Sequence, residues 1–579
     1  DRLRLDIIRE WQAFMALDRW KYVVCAACGQ NKYAYEVSSV SFHELDLTLL
    51  VDVDLPDHLA PVSYDFALYS SALLHPRGLE RLFARGNVTL CDGCERALEQ
   101  GQKPVDAISN KMYYAIERLP PNVRRAFEES TLADRQLAAA CRATQINYLL
   151  TASQGAVPGA AQRYSKGHVA MIPQDSCRIA TVLPPASQDL DQAICVMFLG
   201  GEDRPTAETV RAFHPLLVSL QRVSLMINYL LAHNPYYREQ GIVFSEHNLA
   251  CLLRGDASFD GVGVPCSVEI THIPTGASAG AALSSRYDGG ERDAVPIPPS
   301  ELYLESIGYS SSTETLAVHS AMKGRALQWC LDRRPFLAVR RGQSLFTDRD
   351  PRMLSFCFPH LDPSGLGGFN HPARTGKYKI SFLRQLKNMV LTADAPFAKD
   401  PVFIATVWDI HQRLQASTAT QFQLKSGSYA EVVDVLRNSL PELDAMNKKW
   451  EGDPGAKPCS RKEKELVFAM NKLTLLSKNI MGSQGSKARM RHQVRAMLKT
   501  FGCPALYVTL NPSDINHRLL HVLCGGNPDT FHLLTAFERM KQVADNPVAA
   551  AKFFDVMMKA FIRIILRFGR SGKPGLFGV

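Results

Sequence analysis

The chain lacks any run of eighteen apolar residues, so nothing in it reads as a membrane-spanning helix, and no charged-then-apolar leader opens it. It also lacks a phosphate-binding G-x-x-x-x-G-K-[ST] loop. Gly376-Lys377 and Gly572-Lys573 both miss the first glycine and the closing Ser or Thr. An NTPase of that type is therefore excluded within these residues. None of the 16 histidines lies two positions from another, which excludes a His-x-His metal pair on a strand. Gly365-Leu-Gly-Gly368 follows a proline-containing loop and precedes no obvious helix, so a dinucleotide site is not expected.

What remains is a chain of 579 residues, 46% hydrophobic and 21% charged. At about 100–200 residues per domain it has room for about three to five domains with real cores. Its 14 cysteines are spread along the chain without a secretory leader, a usage that reads as reduced intracellular thiols. The net charge of +9 is uneven: Pro441 to Val579 holds 22 Lys/Arg against 11 Asp/Glu, and residues 1–440 carry −2. A polyanion-binding surface is expected in the last quarter. Asp1 and the abrupt Arg570–Val579 end suggest a piece of a longer reading frame.

The patterning predicts a helix over Leu3–Trp20, helices continuing through Ser130–Leu149, and strands over Val169–Leu199. Phe213–His233 has helical spacing. Ile273–Ser300 is rich in Gly, Ala, Ser and Pro and reads as a linker. A short helix is expected around Ala317–Leu331, a largely helical region over Ile380–Met446, and a polar break at Glu451–Pro458. Ala505–Leu510 reads as a buried strand ended by Asn511-Pro512. Ser513 or Asp514 would then cap a helix stopping at Gly525-Gly526. A last helix has Asn546 as N-cap and Pro547 at its first position, with Gly569 past its end. Its apolar side runs from Phe553 to Phe568; Lys552, Lys559, Arg563 and Arg567 lie on the other.

Cys25-x-x-Cys28 and Cys91-x-x-Cys94 form a metal-ligand pattern, since two knuckles complete a tetrahedral four-sulfur zinc site. Sixty-two residues separate the pairs, so the site needs a folded insertion whose ends meet. Four unrelated core cysteines, or a redox pair, are the alternatives. Lys478–Thr500 carries Lys487, Arg489, Arg491, Arg495 and Lys499 and no acidic residue. Arg491, Arg495 and Lys499 recur every four residues, on one helix face, suited to a nucleic-acid backbone or simply to water. His517 and His521 are one helical turn apart but lack a third ligand, a weak signal for a catalytic metal.

Tyr507-Val-Thr-Leu-Asn-Pro-Ser-Asp514 resembles the first motif of the rolling-circle initiator nuclease in Helitron transposases. Gly482–Arg495 resembles the basic lead-in, and Phe501-Gly-Cys-Pro504 the segment before the motif strand. Met322–Leu327 and Phe358–Phe369 resemble the entry to the Helitron helicase-like N-terminal domain. The first 270 or so residues look like the uncharacterised cysteine-knuckle domain that often precedes it. The resemblance implies a parent that nicks single-stranded DNA with a tyrosine and a divalent ion held by a His-hydrophobic-His strand, then unwinds it with ATP. The ion-binding pair, tyrosines and ATP site are absent here, so these residues alone are expected to be inactive. Thr509, Asn511, Pro512, Ser513 and Asp514 are the motif residues that carry over, as neighbours of the DNA path.

The resulting expectation is an α+β multidomain chain. A cysteine-knuckle domain (1–150, structural zinc) leads to a mixed α/β domain (151–272) and a flexible linker (273–300). A largely helical Helitron-like entry region (301–450) then leads into a basic region (451–579) holding an incomplete rolling-circle-nuclease palm. The partner expected is single-stranded DNA, bound through the basic region, with no membrane and, by resemblance, a nuclear location. The rival is a non-catalytic zinc-containing adaptor derived from a transposon.

Overall fold

Short β-ladders, not one broad sheet, organise the N-terminal hundred residues. The structure is a computed structural model. It describes residues 2–150, 162–173, 181–186, 194–199, 217–253, 261–263, 268–273, 303–306, 349–394, 396–420, 435, 445–446, 458–476, 479, 483–504 and 508–568. All of the expected linker but Ile273, the helix expected around 317–331 and most of the break expected at 451–458 lie outside these residues.

Helix α1 (Arg2–Phe14) buries Ile7, and the following turn buries Trp20, whose indole N–H donates to the Phe14 carbonyl at 2.8 Å. Strands β1 (Tyr22–Val24) and β2 (Asn31–Tyr33) pair antiparallel, as do β3 (Val37–Ser41) and β4 (Asn87–Cys91), the latter in a register that sets Val37 opposite Cys91. Helix α2 (Asp92–Glu99) follows β4 directly. Leu50, Tyr69, Leu74, Val88 and Leu90 form the core beneath these ladders. The Tyr64 hydroxyl threads it, donating to the Ala72 carbonyl at 2.6 Å and accepting from the Leu74 N–H at 3.0 Å.

Helices α3 (Pro121–Glu128) and α4 (Leu132–Ala138) pack on a long helix, Leu220–His233. Buried Asp134 joins them: it completes a capping box with Thr131, accepts from the Ser219 N–H at 2.9 Å and pairs with Arg222 at 2.8 Å. The helices expected to continue to Leu149 stop at Ala138. Cys141–Leu150 is instead a strand, because Gln162–Pro173 lies antiparallel beside it and takes its backbone hydrogen bonds. A three-stranded sheet follows, with Ile194–Leu199 central, parallel to Val268–Ile273 and antiparallel to Tyr303–Ser306.

The glycine-rich segment 358–369 is wound around one buried carboxylate. Asp362 accepts from the Ser355 hydroxyl at 2.8 Å and from the N–H groups of Leu366 and Gly367. A Cβ at Gly367 would sit 2.3 Å from the Tyr114 ring, so close packing demands glycine there. Burial pushes the Asp362 carboxyl up to about 6.

The described residues fall into two compact units, one of residues 1–407 with 512–579, the other of residues 408–511. In the first, Trp20 is buried with Leu519, Leu520, Leu523, Phe553 and Val556. The helices Arg518–Leu523 and Pro547–Ala560 thus build one core with the start of the chain. One expectation fails here and another holds in part. His517, not Ser513 or Asp514, caps the first of these helices: its Nδ1 accepts from the Leu519 N–H at 3.1 Å. Asn546 occupies the N-cap position of the second, with Pro547 opening the helix as expected, but its side chain makes no capping bond and its amide donates to the Gln542 carbonyl. Nor is the face opposite Phe553 uniformly solvated. Lys552 lies over the Tyr22 ring at 4.6 Å, and Arg567 is buried beside Glu10. The second unit holds the helices Arg461–Leu476 and Gln484–Phe501.

Candidate functional site

The first knuckle begins where β1 ends. Cys25 donates its N–H to the Gln30 carbonyl at 3.1 Å, and Gly29 closes the turn by donating to the Cys25 carbonyl at 2.8 Å with φ +67°. That left-handed turn favours glycine. The second knuckle begins where β4 ends, with Cys94 on the first turn of α2. The Ala26 N–H donates to the Thr89 carbonyl at 2.8 Å, and the Cys91 N–H donates to Cys25 Sγ at 3.3 Å. Gly78 lies against the same turn, where a Cβ would come within 2.5 Å of the Ala26 nitrogen. The β3–β4 ladder is thus what closes the long gap between the cysteine pairs.

All four cysteines are buried and free, and their sulfurs lie within 4.8 Å of one another. A tetrahedral ion with bonds of about 2.3 Å separates its sulfurs by about 3.8 Å, so the cluster fits a metal such as zinc. Without a cation the thiols compete for protons. Hydrogen bonds from the other three pull Cys91 down, while hydrogen bonding to its neighbours and burial push Cys94 up. A divalent ion removes that conflict by taking four thiolates. Four sulfur ligands leave no open position, so such a site would be structural.

The basic helix forms as its sequence indicates, from Gln484 to Phe501, with the Ser483 hydroxyl accepting from the Ser486 N–H at 3.0 Å. Lys487, Arg489, Arg491, Arg495 and Lys499 are all exposed. Arg489 bonds Asn479 Oδ1 at 2.7 Å. An adjacent stripe missed by reading charge alone comprises Met490, Val494, Met497 and Phe501, all exposed, Phe501 at 83%. They recur at heptad-like spacing and were legible in principle.

The motif segment differs from expectation. Residues 505–507 lie outside the described residues, and Val508, Thr509 and Leu510 form no strand, with no strand paired beside them among the described residues. Thr509, Asn511 and Ser513 are exposed, and Pro512 and Asp514 half-buried. Asp514 accepts from the Ile515 N–H at 2.8 Å, a local turn bond. Thr509 and Asn511 belong to the second unit with the basic helix; Pro512, Ser513 and Asp514 belong to the first. His521 is buried with Nδ1 on Gln542 at 3.0 Å and Nε2 on Thr530 at 3.2 Å. With His517 occupied as a cap, the two imidazoles are structural and form no metal pair.

Two family models match the chain. Residues 387–579 match the Helitron helicase-like domain at N-terminus, and residues 100–250 match a domain of unknown function (DUF6570). The chain therefore carries a Helitron-like N-terminal domain preceded by an uncharacterised domain. The basic helix and the motif segment lie inside the first match; the four cysteines lie outside both. No curated protein and no solved structure matches the chain. No helix among the described residues is long and apolar enough to cross a membrane.

Proposed function

We propose that this chain is the N-terminal part of a Helitron-like rolling-circle transposase, a nuclear protein that binds single-stranded DNA through Lys487, Arg489, Arg491, Arg495 and Lys499. The observation that carries the reading is an exposed helix inside the Helitron-like match, with five basic residues and no acidic one. Phosphate contacts from such a face give sequence-independent affinity. Thr509, Asn511, Pro512, Ser513 and Asp514 flank the strand's path in this reading. Zinc on Cys25, Cys28, Cys91 and Cys94 holds the N-terminal fold. The parent's nicking and unwinding chemistry, with its divalent ion, tyrosines and ATP, belongs to segments other than these residues.

The test is binding of a fluorescent single-stranded oligonucleotide to the full chain at several salt concentrations. With about five phosphate contacts, affinity should fall about 10²-fold between 50 and 200 mM salt. Arg491→Glu with Arg495→Glu should weaken binding at low salt and flatten the salt slope. Unchanged affinity in a folded double variant removes the basic helix from the reading. A chain that binds zinc yet shows no salt-dependent DNA binding would instead be the adaptor.

A further inference from the structure

Every residue of the basic helix from Arg489 to Phe501 is exposed, so for more than three turns the helix buries no face. A helix of that length without packing is marginal in water. Its charges weaken it further. Lys487, Arg491, Arg495 and Lys499 are like charges four residues apart, a spacing that destabilises a helix, and no acidic residue stands among them. A helix with these two properties gains from a polyanionic partner.

The partner must also offer apolar surface. Met490, Val494 and Leu498 stand immediately before Arg491, Arg495 and Lys499, so an apolar row and a basic row run side by side along the helix. Met497 and Phe501 widen the apolar row on its far side from the cations. All five apolar side chains are exposed. Each step in either row is four residues, a rise of about 6 Å along the axis. That is the scale of one nucleotide in an extended strand. The helix thus repeats an apolar site beside a cationic one, turn after turn. Two polyanions carry apolar groups beside their charges: a single nucleic-acid strand, whose bases are unpaired, and an anionic lipid surface. Duplex DNA keeps its bases in the stack. The nucleotide-sized step and the place of the helix inside the Helitron helicase-like match both favour the strand.

We propose, building on the DNA-binding reading above, that the apolar row holds the unpaired bases of a single strand whose phosphates lie along the basic row. Phe501 stacks on one of these bases. This contact selects single-stranded over duplex DNA, and it is sequence-tolerant because every base has a face to stack.

Fluorescence anisotropy of the full chain with three labelled probes of equal length tests this: oligothymidine, an abasic deoxyribose-phosphate strand and a duplex. Oligothymidine should bind at least about fivefold more tightly than the abasic strand, the worth of one stacked base. Phe501→Ala should remove most of that preference while leaving the abasic strand, the duplex and the salt slope unchanged. Alanine is the better helix former and the position is exposed, so neither unwinding nor a lost core contact would account for the change. Met497→Ala should act in the same direction. Arg491→Glu with Arg495→Glu should weaken both single strands alike. Equal binding of oligothymidine and the abasic strand by wild type, or oligothymidine indifferent to Phe501→Ala, overturns the base contact and leaves the phosphate contacts standing. Failure of wild type to bind either strand overturns the DNA-binding reading and the base contact together. Phosphatidylserine vesicles bound through Phe501, with oligothymidine indifferent to it, would give the face to an anionic membrane and overturn the base contact as well.

Discussion

At the scale of single residues, the decisive groups are those whose burial conflicts with their charge. Asp362 is one. Its unfolded carboxyl ionises near 3.8, while the folded one keeps its proton to about 6, so between those values the unfolded chain binds fewer protons. Its contribution to stability therefore falls as pH rises through that window, by about 3 kcal/mol at most. His371, held near 4 by burial with Arg374 and Lys111 beside it, acts in the opposite sense and gains stability as pH rises from there towards 6.5. Denaturant unfolding from pH 4 to 7 should show Asp362→Asn becoming progressively less destabilising relative to wild type as pH rises. A constant difference would mean that Asp362 does not titrate in this window. The four cysteines make the second residue-scale prediction. The chain should carry one zinc by elemental analysis, and Cys91→Ser or a strong chelator should lower the melting temperature sharply. Zinc retained by Cys91→Ser with unchanged melting would place the metal elsewhere.

At the scale of elements, the basic helix was legible from its own residues because everything that forms it is local. Ser483 caps it, good helix formers fill it and Gly502, at φ +82°, follows its end. Replacing Ser483 by Ala should cost the helix about 1 kcal/mol and reduce helical circular dichroism at elevated temperature, with oligonucleotide affinity falling in parallel. An affinity loss without a helicity loss would point to Ser483 touching DNA itself. The strand expected over Ala505–Leu510 failed where described because a strand needs a partner, and apolar β-formers do not reveal whether one exists. Cys141–Leu150 is the mirror case, a strand recruited by a distant segment from a stretch that reads as helix. The knuckles stand between these extremes. Their spacing within each pair was readable, but their meeting depends on the β3–β4 register across 62 intervening residues.

At the scale of the molecule, a cavity of about 730 Å³ in the first unit could not be read from sequence at all, since its lining comes from segments as far apart as Cys28 and Asp400. The same interleaving appears in the core that buries Trp20. Lys552, from the penultimate described helix, donates to the Tyr22 hydroxyl at 3.0 Å, and burial lowers its ammonium group to about 8. An unfolded lysine holds its proton to 10.5, so stability should rise as pH climbs from about 8 towards 10.5. Urea unfolding followed across that range should show the rise in wild type and a flat profile in Lys552→Met. A rise of equal size in both would assign it to other groups.

That core also sets a timetable. Trp20 and Phe553 pack in one cluster although 532 residues lie between them in the chain. At about 5–20 residues per second, the ribosome releases the first of them roughly half a minute to two minutes before the second. Throughout that interval the indole and the apolar side chains around it are without their final cover. Synthesis of this protein therefore leaves the apolar side chains of its opening segment open to aggregation until the helix bearing Phe553 emerges.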